Sequence, residues 1–97
     1  MKVNFYATLR QIAGQKSIEV DVPHGVTVGE LLEAVLERFP EMRAELVDEN
    51  GELYRHVHLF VNGRDAPFLE NKIDTVIQPG DKIDFFPAVG GGWREND

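Results

Sequence analysis

The chain has no cysteine among its 97 residues. That excludes disulfides, thiolate metal sites and a thiol nucleophile within it. No apolar run approaches the ~20 residues that a membrane-spanning helix needs. A charged segment followed by an apolar stretch is also missing from the N-terminus, which opens on an alternating strand. No signal peptide is therefore expected, and the cytoplasm is the default compartment. Cations are scarce: 10 Lys and Arg stand against 17 Asp and Glu, a formal net charge of −7. An acidic surface repels phosphate backbones, so nucleic acid is not expected as a direct partner; it suits a partner with a basic face, or serves solubility alone. What is present is an ordinary globular composition, 42% hydrophobic and 28% charged, sufficient for one domain with one modest core.

Lys2 to Leu9 alternates strictly, with Val3, Phe5, Ala7 and Leu9 on one face, and predicts a half-buried strand. Arg10 to Gln15 reads as a connection with room for one helical turn. Lys16 to Val22 alternates again, with Ile18, Val20 and Val22 inward, and an antiparallel hairpin is the simplest pairing. Pro23-His24-Gly25 ends it. Thr27 and Glu30 have capping-box spacing. Val28, Leu31, Leu32, Val35, Leu36 and Phe39 then form one helical stripe that Pro40 stops. Glu41 to Val47 predicts a second short helical piece with Met42 and Leu46 inward, and residues 48–52 a turn.

Val57 to Asn62 is a third strand, Asn62-Gly63 a tight hairpin turn, and Arg64 to Pro67 a short return strand. Phe68 to Gln78 reads as a loop with Ile73, Val76 and Ile77 as core contacts. After a turn at residues 79–81, Lys82 to Phe86 is the last strand, with Ile83 and Phe85 inward. One helix and one amphipathic sheet must bury their apolar faces against each other. The expected fold is α+β: two layers, a mixed sheet of four to five strands, and one main helix across one face.

That alternation leaves three aromatics on the wrong side. Tyr6, Phe60 and Phe86 fall on the open face of the sheet. If their strands are neighbours they form a patch, and an exposed aromatic cluster is a candidate docking surface. The last strand then runs through Pro87-Ala88-Val89 into Gly90-Gly91-Gly92. Glycine without Cβ keeps such a segment thin, so it can enter another protein's active site.

In these features the sequence resembles the ubiquitin-like sulfur carriers with a β-grasp fold, above all MoaD, the small subunit of molybdopterin synthase, and more distantly ThiS. The resemblance rests on Val3 to Arg10, Val26 to Leu32, Val61-Asn62-Gly63, Pro79 to Pro87 and the Phe86-Pro87-Ala88-Val89-Gly90-Gly91-Gly92 ending, and spans residues 1–92. It implies a β-grasp domain over 1–87, a glycine tail over 88–92 and an extension over 93–97. It implies that Gly92 is the reactive residue and that Gly90 and Gly91 are its tether. Gly92 would be adenylated by an enzyme of the ubiquitin-activating type and become a thiocarboxylate. The sulfur would pass to a pterin precursor with the molybdopterin synthase large subunit, or to another acceptor such as a tRNA base. The chain would supply no catalytic group and bind no cofactor; ATP would be used by the activating enzyme. Tyr6 and Phe86 match the family's apolar contact positions, and Phe60 is added from the strand phase.

One departure stands out: Trp93-Arg94-Glu95-Asn96-Asp97 follows Gly92. A glycine in peptide linkage has no carboxylate to adenylate, so a processing protease is expected to remove the extension. Two other functions stay open. A covalent modifier has the same fold and terminus but ends as an isopeptide on lysine. A pure binding module keeps its tail and works through the aromatic patch. His56 and His58, read as sharing one strand face with Asp84 or Glu19 in reach, offer a metal pair. A catalytic zinc needs a third ligand, and no metal is expected. Nor does any nucleophile motif appear: the glycines follow a strand but open no helix.

Overall fold

The computed structural model describes residues 1–23 and 25–87. Residues 88–97, with the glycine tail and the extension, lie outside the described residues, as does His24 of the 23–25 turn. The first strand, β1 (Lys2–Phe5), ends earlier than its alternation predicts. Ala7 turns the chain at φ 55°, ψ −128°, a backbone state that L side chains disfavour, and α1 (Thr8–Ala13) follows. Leu9 is fully buried, but it enters the core from this helix. Gly14, at φ 85°, closes α1 by donating its N–H to the Arg10 carbonyl. The second strand, β2 (Ser17–Glu19), is likewise shorter than predicted and pairs antiparallel with β1, Lys2 opposite Glu19 and Asn4 opposite Ser17.

The predicted helix is α2 (Val28–Arg38). Its capping box is complete: the Glu30 N–H donates to Thr27 Oγ1 at 3.1 Å, and the Thr27 N–H donates to Glu30 Oε1 at 2.8 Å. Val28, Leu31, Leu32, Val35 and Leu36 are buried as one stripe. Phe39 packs edge-on against Phe5, ring centroids 5.8 Å apart. A 3₁₀ turn (Pro40–Met42) leads into α3 (Arg43–Leu46), with Met42 and Leu46 buried as the spacing predicts.

β3 (His58–Val61) and β4 (Arg64–Asp65) form the expected hairpin. Asn62 at φ 56° and Gly63 at φ 85° supply the two positive φ values that a type I′ turn requires. The return strand is only two residues long, because a 3₁₀ turn (Ala66–Phe68) starts before Pro67 can join the ladder. A further 3₁₀ turn (Lys72–Asp74) falls in the predicted loop. Here the core expectation fails: Ile73 and Val76 are 47% and 45% exposed, and of the three only Ile77, at 1%, is in the core. Val76 bridges to Thr27 with its side chain outward, so its neighbour Ile77 points in.

The last strand, β5 (Ile83–Phe86), runs parallel to β1 and antiparallel to β3. The sheet order is β2-β1-β5-β3-β4. Val3, Phe5, Ile18, Leu59, Val61, Ile83 and Phe85 point to one side and meet the α2 stripe. Burying each Leu- or Phe-sized side chain contributes about 1.5–3 kcal/mol. This is the two-layer β-grasp arrangement, with five strands. Among the described residues no helix is long and apolar enough to cross a membrane.

Candidate functional site

Among the described residues no helix covers the opposite side of the sheet. Because Phe5 pairs with Phe85 and His58 with Phe86, the strand phase brings Tyr6, Phe86, His58 and Phe60 onto neighbouring positions of that open face. The Tyr6 and Phe86 rings stack in parallel, 4.1 Å between centroids and 5° between planes. Phe60 meets Phe86 edge-on at 5.4 Å and 79°. His58 lies parallel to Phe60 at 5.6 Å. Lys16 Nζ caps the other end, 5.2 Å from the Tyr6 ring centre. The three aromatics expected to cluster do so, and they form a ladder from the residue after β1 across β5 to β3. All three are half-buried. Each aromatic contact contributes about 0.5–1.5 kcal/mol beyond area burial.

A polar layer holds the ladder from one side. Asp84 is 6% exposed, on the open face between Asn4 and Phe60. Asn4 Nδ2 donates to Asp84 Oδ1 at 2.9 Å, and the Tyr6 hydroxyl donates to the same oxygen at 3.2 Å. Ser17 Oγ donates to Asn4 Oδ1 at 2.7 Å, and Lys82 Nζ lies 3.8 Å from Asp84 Oδ2. Burial pushes the Tyr6 phenol above its ordinary pKa; the negative charge of Asp84, and then its hydrogen bond, add to the rise. Sequence reasoning missed this layer, considering Asp84 only as company for the histidines. The available signal was a carboxylate between Ile83 and Phe85 in a strand that had to be central.

The two histidines are not brought together on one strand face. His56 lies in the turn before β3 and is exposed, whereas His58 is within β3. His58 Nδ1 is 2.6 Å from Asp65 Oδ2. Asp65 Oδ1 in turn accepts the backbone N–H groups of Leu59 and Ala66, fixing the corner after β4. Glu19 meets the N-terminal amine at 2.6 Å. Among the described residues no group of three or more His, Asp or Glu converges to hold a metal. Gly90, Gly91 and Gly92 lie outside the described residues, beyond the strand whose last member is Phe86.

The ThiS family model matches residues 3–92, a match that ends on Gly92. The chain belongs to the ThiS family. Its relatives within this group of small ubiquitin-like proteins carry both carrier and modifier names. It is 35% identical over 92 residues to small archaeal modifier protein 3 of Haloferax volcanii, covering 95% of this chain and 98% of that protein. It is 28% identical to the molybdopterin synthase sulfur carrier subunit of Mycobacterium tuberculosis, covering 95% and 99%. The crystal structure of SAMP1 from Haloferax volcanii superposes with a TM-score of 0.79 at 32% identity, covering 95% and 98%. The ThiS-family chain is thus a ubiquitin-like β-grasp protein of the sulfur-carrier and modifier group.

Proposed function

We propose that this chain is a sulfur carrier whose C-terminal glycine is the group that reacts. Removal of Trp93–Asp97 frees the carboxylate of Gly92. A partner of the ubiquitin-activating type then joins that carboxylate to AMP and releases pyrophosphate from ATP. Hydrosulfide adds to the acyl carbon, the C–O bond to AMP breaks, AMP leaves with the bonding pair, and loss of a proton leaves a thiocarboxylate. Adenylation is needed because a free carboxylate is a poor electrophile. ATP is the partner's substrate, and the cytoplasm is the compartment that this chemistry calls for.

The observation that supports this reading is the position of the ladder. Phe86 is both its central ring and the last residue of β5, so the apolar face lies at the root of the tail. A partner that grips Tyr6, Phe86 and Phe60 receives residues 87–92 at its own site. Transfer to a molybdopterin precursor is the favoured destination, supported by similarity over nearly the full length of the mycobacterial carrier subunit. A thiolated tRNA base is the other sulfur acceptor. Conjugation to lysine is a second reading, favoured by the similarity to a small archaeal modifier protein. Both share the adenylation step.

ATP–pyrophosphate exchange tests the shared step. The chain ending at Gly92 should support exchange by its activating enzyme, and the chain ending at Asp97 should not. Phe86→Ser should raise KM on the order of tenfold, as loss of a central anchor does. Equal exchange by both forms, or none by the shorter, contradicts the proposal. A search for isopeptide-linked lysines after processing then separates modifier from carrier.

A further inference from the structure

The layer opposite the ladder carries its own unpartnered apolar surface. Residues 66–77 expose Phe68 at 74%, Ile73 at 47% and Val76 at 45%. Beside them a groove of about 470 Å³ runs between α2 and this segment, walled by Leu32, Leu53, Ala66, Pro67 and Ile73. The segment is fastened in place. Leu69 donates its N–H to Ala66, Lys72 to Leu69, and Thr75 to Lys72, while the Val28 N–H donates to the Thr75 carbonyl. Ile73 packs on Gly29 of α2, where a Cβ would lie in van der Waals contact with it, 3.4 Å from its carbonyl oxygen. The exposed side chains therefore stand on a backbone braced against the helix. Leaving them in water forgoes about 25 cal/mol for each Å² of apolar area.

Charge says what covers them. In residues 28–54 and 66–77 ten carboxylates face three cations, Arg38, Arg43 and Lys72, while the rest of the chain carries seven of each sign. The acidic excess thus falls in these two stretches of the chain. Glu52 and Lys72 both line the groove, while Glu33, one turn along α2 from Gly29, and Glu70 and Asp74, which flank Lys72 in the exposed segment, leave its surroundings net acidic. A second copy would set this acidic rim against another, and anionic lipid would be repelled in the same way.

We propose that this groove is a second docking surface, for a segment of a partner protein that brings apolar side chains to the groove and Lys or Arg to its rim. It lies across the sheet from the ladder, so both faces can be occupied at once. The inference does not depend on what happens at Gly92.

The probe is a synthetic peptide of alternating Leu and Lys blocks, titrated into the ¹⁵N-labelled full chain. Controls replace Lys by Glu, or Leu by Ser. The Leu/Lys peptide should give saturable shifts at residues 51–53 and 66–76 and leave Tyr6, Phe60 and Phe86 unmoved. Neither control should saturate. Phe68→Ser, at a side chain 74% exposed, should leave the melting temperature unchanged and weaken binding about tenfold. Shifts centred on the ladder, scattered shifts without saturation, or equal binding of the Lys/Ser peptide overturn the proposal. Dimerisation of the unliganded chain that Phe68→Ser abolishes overturns it in favour of a second copy.

Discussion

Phe85 and Phe86 are adjacent and chemically identical, yet the strand sends them to opposite sides of the sheet. Phe85 is fully buried against Phe5, 5.5 Å between ring centres, whereas Phe86 stacks on Tyr6 in the half-exposed ladder. Phe85→Ala should cost about 3–5 kcal/mol, a large part of a small domain's stability, read from urea unfolding. Phe86→Ser should cost clearly less and fall mainly on partner affinity. Tyr6 makes a prediction about pH. Its phenol is held protonated by burial and by Asp84, so it ionises at higher pH in the folded chain than in the unfolded one. Its stabilisation is complete below the unfolded value near ~10 and is lost as pH rises through the folded value. Urea midpoints followed from about pH 8 to about pH 12 should decline less in Tyr6→Phe than in the parent chain. The ladder residues were legible because successive side chains of a strand point to opposite faces, so that once Leu59, Val61 and Phe85 are placed in the core, Phe60 and Phe86 must face the other way. Ile73 and Val76 were misread because a 3₁₀ turn and a single bridge impose no period longer than a few residues, and hydropathy alone then assigns every Ile and Val to the core.

At the scale of elements, legibility follows how local the determining interaction is. The α2 cap was readable because Thr27 and Glu30 satisfy each other's backbone N–H three residues apart. Thr27→Ala should cost about 1 kcal/mol. The β3–β4 turn was readable because Asn62-Gly63 meets a two-residue requirement for positive φ. Gly63→Ala should cost about 1–2 kcal/mol by chemical denaturation, since Gly63 lies at φ 85°. The end of β1 was not readable. Alternation continues to Leu9 in the sequence, but Ala7 breaks the backbone, and nothing in its side chain announces a left-handed turn. Leu9 reaches the core by either route, so the pattern of buried residues does not distinguish strand from helix there. Pairing of β1 with β5 is long-range, and no local signal in the sequence specifies it.

At the scale of the molecule, the chain presents two faces and a tail. The open face of the sheet carries aromatics with Lys16 and His58 at the ends, residues 28–54 and 66–77 carry the acidic excess, and β5 leads into the glycines. Such a division suits a protein that is handled by others. The central claim is that Gly92 becomes a free, activated carboxylate and receives sulfur. The most direct measurement is intact-mass spectrometry of the protein recovered from its native cells with the activating enzyme present. The account predicts a chain that ends at Gly92, part of it carrying sulfur in place of one carboxylate oxygen. Recovery solely of chains that still carry Trp93–Asp97 would contradict it.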